Sequence, residues 1–191
     1  MTSFTVFGTG NMATAIGGVL AAGGADVDYI GKDQTDARVT GDVVVLAVYY
    51  AAVADIIREY GDQLAGKIVV DITNPVDFAT FDDLVVPADS SAAAEIAAAL
   101  PAARVLKAFN TTFGATLASG KVGDLTTTVL IAGDDTDAKA TLAAAVEAGG
   151  LKAIDAGSLK RARELEALGF LQITLAAAEK ISWTGGFGIV R

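Results

Sequence analysis

Three small residues directly after the first apolar segment have the spacing of a dinucleotide-binding loop. Gly8, Gly10 and Ala13 form a G-x-G-x-x-A pattern between an apolar run and a helix-forming segment. In such a loop the first glycine permits a tight turn, the second lets the backbone approach a pyrophosphate, and the small third residue lets the helix pack against the sheet. Amides of the first helical turn then face the anion, and the helix dipole adds to the attraction. We expect a dinucleotide here; the alternative is a βα turn in which the glycines serve only the backbone.

The end of the second predicted strand indicates which dinucleotide binds. An acidic residue that would bind the ribose hydroxyls of NAD is expected about 20 residues after the first glycine. Here Gly31 and Lys32 occupy that region, with Asp33 beside them and Arg38 farther along. A cation accepts a 2′-phosphate that a carboxylate would repel. The sequence therefore predicts NADP rather than NAD.

The chain contains no cysteine and no histidine. This absence excludes disulfides, thiolate nucleophiles, Cys/His metal sites and imidazole bases, so we expect no metal site. A Tyr-x-x-x-Lys pair is also absent, since Tyr29 has Lys32 only three positions on. Hydride transfer between a nicotinamide and a facing flavin-type ring needs alignment and exclusion of water rather than a protein acid or base. The composition thus favours transfer between two cofactors, with no catalytic side chain, over the oxidation of an alcohol.

Strand and helix patterns alternate along the chain, which is typical of a doubly wound α/β sheet. Apolar or alternating runs predict strands at residues 3–7, 26–30, 42–48, 66–72, 104–109, 126–132 and 151–155. Helical patterns cover residues 11–22, 51–60, about 90–100, 136–148 and 158–182. We expect one compact Rossmann-type domain over residues 1–191, with a mostly parallel sheet, a C-terminal helix and a short glycine-rich tail.

The carboxyl ends of the predicted strands are where the reactive end of a cofactor would lie, because ligands of open α/β sheets bind across those ends. Asn74 and Asn110 follow two buried strands and could bind the carboxamide or the ribose. Tyr49 and Tyr50 could each meet the ligand; the alternative is that one lies in the core and the other on a helix surface. The predicted nicotinamide side comprises Ala47, Val48, Tyr49, Asn74, Pro75, Ala108, Phe109 and Asn110.

Charge and hydropathy limit the other partners. The net charge is −9, and no cluster of lysine or arginine is present, so a nucleic-acid surface is not expected. No apolar stretch reaches membrane-spanning length, and no basic leader precedes the first strand. We therefore expect a cytoplasmic protein without a membrane partner. The apolar final helix predicts a homodimer.

Four stretches, taken in order, resemble the NADPH-dependent coenzyme F420 reductases. They are GTGNMA at residues 8–13, KAFNT at 107–111, IAGDD at 131–135, and DAGSL at 155–159 with ARELE at 162–166. The same stretches are similar to the cytosolic oxidoreductase domains of the STEAP metalloreductases. The resemblance covers almost the whole chain.

The resemblance implies hydride transfer between NADP(H) and an exchangeable deazaflavin (coenzyme F420) or flavin (FMN or FAD) stacked on the nicotinamide. By position, it implies that Gly31 and Lys32 hold the 2′-phosphate, and that the part from about residue 127 to 191 completes the acceptor site. Family reductases commonly have Ser-Arg where this chain has Gly31-Lys32, and some have histidine near the position of Asn110. The implied pyrophosphate residues are Gly8, Thr9, Gly10, Asn11, Met12 and Ala13, and the implied acceptor-site residues are Thr111, Gly186 and Phe187.

Two other functions stay open at this point. An NADPH-dependent flavin or ferric reductase would use the same residues, and a non-catalytic NADP-binding sensor would close over the cofactor without receiving an acceptor. An imine reductase of the pyrroline-carboxylate type shares the opening motif but needs a further helical dimerisation region, which 191 residues do not supply.

Overall fold

A seven-stranded sheet forms the centre of the computed structural model, which describes residues 2–190. The strands in this part of the chain are β1 (Ser3–Phe7), β2 (Asp26–Ile30), β3 (Val43–Leu46), β4 (Ile68–Asp71), β5 (Arg104–Lys107), β6 (Lys121–Val122), β7 (Leu125–Thr126), β8 (Thr128–Gly133) and β9 (Lys152–Gly157). The sheet order is β2-β1-β3-β4-β5-β8-β9, and β6 and β7 form a separate antiparallel hairpin. All neighbours in the sheet are parallel except β5 and β8.

Helices cover both faces of this sheet. They are α1 (Asn11–Ala22), α2 (Val53–Leu64), α3 (Ala92–Ala99), α4 (Gly114–Ser119), α5 (Thr136–Ala148) and α6 (Ala162–Ala177). Alternate residues of β3 show the two-sided burial that the continuous apolar runs predict. Val43 and Val45 join the core under α1 and α5, whereas Val44 and Leu46 join the core under α2 and α3. The predicted mostly parallel Rossmann-type fold is confirmed.

The strand order places a topological switch point between β1 and β3. The chain runs from β1 to β2 on one side and continues from β3 through β4 to β5 on the other. Crossover helices therefore leave a crevice at the carboxyl ends of β1 and β3, where open α/β sheets bind their ligands.

The helices at 11–22 and 136–148 and the strands at 3–7 and 26–30 have the predicted bounds. The final helix at 158–182 was wrong at both ends. It starts after a 3-10 turn, Leu159–Arg161, and stops at Ala177 because Glu179 takes a left-handed φ of 57°. The amide of Lys180 then bonds the carbonyl of Leu175 in a Schellman-type end.

Other bounds also differ from the predictions. The strands β3, β4 and β5 are shorter than predicted, β3 and β4 at both ends and β5 at its carboxyl end. The helix predicted at 51–60 begins as a 3-10 turn, Tyr50–Ala52, and continues to Leu64. Sequence patterns missed α4 and the β6–β7 hairpin, since these elements are too short to show a period. Within residues 2–190, no helix combines the length and the apolar character needed to cross a membrane.

Candidate functional site

Gly8 turns the chain out of β1 at the switch point. Its φ is 111°, and a Cβ atom at this position would lie 2.3 Å from the carbonyl oxygen of Ala47. The Gly8 amide donates to the carbonyl of Ile30 at 2.8 Å, so the residue is held between the ends of β2 and β3. Only glycine fits this backbone and this space, which fixes where the loop begins.

Gly10 opens the other end of the loop. It is the N-cap residue of α1, no side chain accepts a hydrogen bond from the first-turn amides, and that turn contains no acidic residue. A Cβ at Gly10 would meet no atom within 4 Å, so the space above the loop is open. Thr9 and Asn11 are exposed around it, Met12 is half-buried, and Ala13 is buried in the core. The loop therefore presents uncapped amides in the positions that suit a pyrophosphate.

The end of β2 lies beside this loop. A Cβ at Gly31 would lie 3.5 Å from the Cγ2 atom of Thr9, and the Gly31 amide donates to Gln34 Oε1 at 2.7 Å. Lys32 is exposed and forms no ion pair with any residue from 2 to 190. Its ammonium is thus available to a phosphate next to the dinucleotide loop.

Asn74 and Asn110 meet at the opposite end of the crevice, as expected for residues that follow adjacent parallel strands. Asn74 Nδ2 donates to the Asn110 carbonyl at 2.9 Å, and Asn110 Nδ2 donates to Asn74 Oδ1 at 2.9 Å and to the Leu165 carbonyl at 2.8 Å. Asn110 is 4 % exposed, and its Oδ1 atom has no hydrogen-bond partner. A buried amide oxygen without a donor is costly, but the atom is enclosed, so a ligand N–H reaches it only when a neighbouring group moves aside.

Ala108 and Phe109 reach this site only through their backbones. Both side chains are fully buried in the core. Phe109 has a φ of 63°, which is unusual for a residue with a bulky side chain. The amide and the hydroxyl of Thr112 both bond the Phe109 carbonyl, at 3.1 and 2.7 Å. This strained turn aims Asn110 across the strand ends, an arrangement often found at functional sites.

The structure distinguishes the two tyrosines. Tyr49 is 75 % exposed and makes an edge contact with Phe78, the ring centroids lying 5.5 Å apart, and Phe78 contacts Phe81 in the same way. Tyr50 is half-buried and its hydroxyl donates to the carboxylate of Glu95. Burial, and then the hydrogen bond to that carboxylate, raise the pKa of Tyr50. Tyr49 is therefore the residue at the mouth of the crevice. Of the other predicted residues there, Ala47 and Val48 are half-buried and Pro75 is buried.

A buried charge cluster beneath the asparagines was missed from the sequence. Lys107 Nζ lies 2.8 Å from Asp71 Oδ2, 2.8 Å from Glu166 Oε1 and 2.6 Å from the Thr73 carbonyl oxygen. The Glu166 carboxylate also accepts the amides at the start of α3, and burial raises its pKa. Opposite charges at the last residues of two apolar strands were the available signal, since Asp71 and Lys107 are register partners. In the sequence, Glu166 appeared only as the last residue of the ARELE stretch, with no role predicted for it.

Helix α6 also supplies two uncharged residues that were not predicted. A Cβ at Gly169 would lie 2.4 Å from Asn74 Oδ1 and 2.8 Å from the Asn110 carbonyl oxygen, so this glycine permits the close approach of α6. The side chain of Gln172 donates to the Thr111 carbonyl and accepts from the Phe187 amide. The structure thus brings Thr111 and Phe187, both predicted at the acceptor site, to one glutamine.

A cavity of about 840 Å³ lies elsewhere, between α1, α4 and the loop before β9. Its lining includes Asn11 but no other residue predicted to bind the cofactor. Small side chains such as Ala15 and Ala118 form most of its wall. The open glycine loop, the unpaired lysine and the buried amide oxygen lie instead at the strand ends. Among residues 2–190, no three acidic side chains are grouped so as to hold a metal ion.

Similarity to known proteins agrees with this geometry. The chain is 33 % identical over 171 residues to the F420-dependent NADP reductase of Methanocaldococcus jannaschii, which covers 87 % of this chain and 76 % of the relative. The chain belongs to the F420-dependent NADP reductase family. A second such reductase, from Methanothermobacter thermautotrophicus, is 31 % identical over 171 residues, covering 86 % of this chain and 73 % of the relative. The family model described as NADP oxidoreductase, coenzyme F420-dependent, matches residues 26–75. The resemblance inferred from the four motifs is confirmed.

This chain is also similar to the metalloreductase STEAP3 of Rattus norvegicus. It is 36 % identical over 138 residues, which make up 71 % of this chain and 26 % of that protein. Among solved structures, a candidate F420-dependent NADP reductase from Arthrobacter sp. FB24 superposes with a TM-score of 0.85 at 27 % identity, each chain covered completely. An imine reductase from Bacillus cereus has a TM-score of 0.66 at 18 % identity, covering 96 % of this chain and 63 % of that one, and shares the fold alone.

Proposed function

We propose that this protein transfers a hydride between NADP(H) and coenzyme F420. It is an oxidoreductase of the family named above, and the reductases it resembles over most of its length are F420-dependent. The observation that carries the proposal for this chain is the buried, unpartnered Oδ1 atom of Asn110 at one end of a crevice whose other end is the uncapped loop at Gly10. An extended ligand with an anionic middle would lie on the loop, and an amide at its tip would bond Asn110 Oδ1 once a neighbouring group has moved aside.

The residues of the crevice divide into three groups along such a ligand. The first-turn amides of α1 and the loop from Gly8 to Ala13 would hold the pyrophosphate. Lys32 and the backbone of Gly31 would hold the 2′-phosphate, because a free ammonium stands beside the loop. Asn110 Oδ1 would accept from the carboxamide, with Asn74 holding Asn110 in place.

The chain itself contributes alignment and exclusion of water rather than acid–base chemistry. When bound, NADP(H) and the deazaflavin supply the hydride donor and the hydride acceptor. The strained turn at Phe109 and the close approach of Gly169 fix the asparagines, which would set the nicotinamide face. We further propose that residues 127–191 complete the acceptor site, with Thr111, Gly186 and Phe187 at its border. Tyr49 stands at the mouth on the side of β3.

The proposal is tested by following the nicotinamide absorbance of NADPH mixed with purified protein and one acceptor at a time. The acceptors are F420, FMN, FAD and riboflavin. We expect oxidation with F420, and the Asn110→Ala variant should lose most of it while keeping its fold. No oxidation with any acceptor would overturn the enzyme proposal and favour an NADP-binding sensor.

Reduction of a flavin or of ferric iron through a flavin is the second candidate. The similarity to STEAP3, a metalloreductase by name, favours this function, and the similar region covers 71 % of this chain. In the same assay, faster oxidation with FMN or FAD than with F420 would select this function.

We also propose a homodimer and a cytoplasmic location. The dimer is supported by exposed apolar side chains on and after α6, with Leu171 50 % and Trp183 51 % exposed. Light scattering after size-exclusion chromatography should give twice the mass of one chain, and a single-chain mass would reject the dimer. The location is supported by the need for exchangeable NADP(H), and cell fractionation tests it.

A further inference from the structure

Gln172 joins α6 to two segments that are distant in sequence. Its side chain is 2 % exposed, in the middle of a helix with exposed apolar neighbours. Its Nε2 group donates to the Thr111 carbonyl at 3.3 Å, and its Oε1 atom accepts from the Phe187 amide at 3.1 Å. One buried amide therefore connects the loop after β5 with the C-terminal tail.

The backbone of the tail is shaped to this contact. Gly186 has a φ of 138°, and a Cβ there would lie 3.0 Å from Gln172 Oε1. Farther along, a Cβ at Gly188 would lie 2.6 Å from Leu125 Cδ1, on the β6–β7 hairpin. Two glycines thus let the tail approach neighbours that a larger residue would push away.

Aromatic contact seats the start of the same tail. The ring of Trp183 lies 4.9 Å, centroid to centroid, from that of Phe113, three positions after Asn110. The tail consequently runs alongside the loop that follows β5. Phe187 is held at this border with 43 % of its surface exposed.

Helix α6 follows the end of β5 residue by residue. Glu166, Gly169 and Gln172 are spaced by three, lie on its buried face, and contact Lys107, Asn110 and Thr111 in turn. The first contact fixes the helix, the second sets the asparagine pair, and the third fixes the tail. The third contact lies just beyond the amide proposed to meet the nicotinamide.

We propose that Gln172 is a positioning residue of the acceptor site, which holds Phe187 and the tail as the wall against which a planar ring acceptor docks. This inference rests on the proposed hydride transfer between NADP(H) and such an acceptor. Gln172 acts through Phe187 and Thr111 and does not itself touch the reacting atoms. Its removal should weaken the acceptor and leave the cofactor unaffected.

The first experiment compares Gln172→Ala with Thr174→Ala. Thr174 lies on the same helix, but its hydroxyl bonds only the Leu171 carbonyl within α6. Steady-state kinetics should show a rise of about tenfold in the KM for F420 with Gln172→Ala, the size expected for one lost net hydrogen bond, and a KM for NADPH changed less than about twofold. Thr174→Ala should change neither. Equal rises in both KM values would show a general loss of structure and overturn the positioning role.

The second experiment keeps Gln172 and changes the tail. Gly186→Ala introduces a Cβ against Gln172 at a φ that alanine rarely adopts, whereas Gly185→Ala places its Cβ no closer than 3.3 Å to a neighbour. Gly186→Ala should reproduce the selective rise in the KM for F420, and Gly185→Ala should not. This pair tests the inference even if Gln172→Ala does not fold. Identical behaviour of the two variants would contradict it.

Hydrogen–deuterium exchange of the tail separates this inference from the proposed function. In the protein without added ligand, the Phe187 amide should exchange at least about tenfold faster in Gln172→Ala than in the unmodified protein. If none of the acceptors supports NADPH oxidation by the unmodified protein, the proposed function fails. Exchange still reports whether Gln172 holds the tail. Unchanged exchange of the Phe187 amide would refute the claim that Gln172 holds the tail. Faster exchange without any change in the KM for F420 would show that the tail is not part of the acceptor site.

Discussion

Lys107 on β5 and Glu166 on α6 form an ion pair with 2.8 Å between the ammonium nitrogen and Oε1, and both side chains are at most 1 % exposed. Asp71 on β4 completes the cluster at the same distance from the ammonium. Two carboxylates therefore share one buried cation, and hydrogen bonds from backbone amides to Glu166 and Asp71 satisfy other carboxylate oxygens. The cluster ties the last helix to the strand ends that carry the proposed site.

Removal of the cation should be strongly destabilising. Lys107→Met would leave two buried carboxylates without their partner, and we expect a loss of about 3–5 kcal/mol in the free energy of unfolding. Urea denaturation measures it. Arg58→Met is the control, because Arg58 pairs with Asp55 and both side chains are largely exposed, and it should cost at most about 1 kcal/mol. Similar small losses in both variants would show that the cluster does not anchor α6.

The stability contribution of Glu166 should fall as the pH rises. Burial raises the pKa of this carboxyl above its ordinary value of 4.5, so the folded chain binds more protons than the unfolded chain between the two values. The stability that this group contributes is fully present below pH 4.5 and is lost as the pH rises through the raised pKa. From acidic to neutral pH, the melting temperature of the unmodified protein should fall relative to that of Glu166→Gln. If the melting temperature of the unmodified protein instead rises with pH relative to that of Glu166→Gln, the assigned direction of the pKa shift is wrong.

Gly169 should tolerate no side chain. In Gly169→Ala the new Cβ would stand 2.4 Å from Asn74 Oδ1, so α6 must move away or the asparagine pair must break. We expect a loss of about 1–3 kcal/mol in stability and weaker NADPH binding, measured by calorimetry. Gly61→Ala in α2 is the control, because its Cβ meets no atom closer than 3.9 Å, and it should gain about 0.5–1 kcal/mol. A neutral Gly169→Ala would mean that this close approach is dispensable.

Lys32 should discriminate between the two nicotinamide dinucleotides. Lys32→Ala would remove the charge proposed to meet the 2′-phosphate, and the dissociation constant of NADPH should rise at least about tenfold while that of NADH stays the same. Fluorescence titration of both cofactors measures the two constants. Lys152→Ala, exposed on the opposite edge strand β9, should affect neither. Equal losses for NADPH and NADH would refute the assignment.

Asn110 should act on the other half of the cofactor. Asn110→Ala would remove the buried oxygen proposed to accept from the carboxamide, so NADPH should bind at least about tenfold more weakly. The fragment 2′,5′-ADP lacks the nicotinamide and should bind as before, whereas Lys32→Ala should weaken the fragment as well. If Asn110→Ala weakens NADPH and the fragment alike, the residue supports the fold rather than the nicotinamide end.

The sequence by itself determined the parts of this protein whose signals are local. Gly8, Gly10 and Ala13 form one turn between adjacent elements, and the apolar runs report two-sided burial without reference to any partner. The same local logic predicted Asn74 and Asn110 at neighbouring strand ends, where the structure shows them bonded to each other. The roles proposed for these residues toward a cofactor stay predictions.

Only the tertiary structure decided how α6 meets those strand ends. Lys107 and Glu166 are 59 positions apart in the chain, and Thr111 and Gln172 are 61 positions apart. No periodicity reports such pairs, because each residue type alone fits an ordinary helix or strand, and the end of α6 was itself predicted five residues too late. The left-handed turn at Phe109 could not be predicted from the sequence either, since its conformation is imposed by the packing around it and not by the residue type.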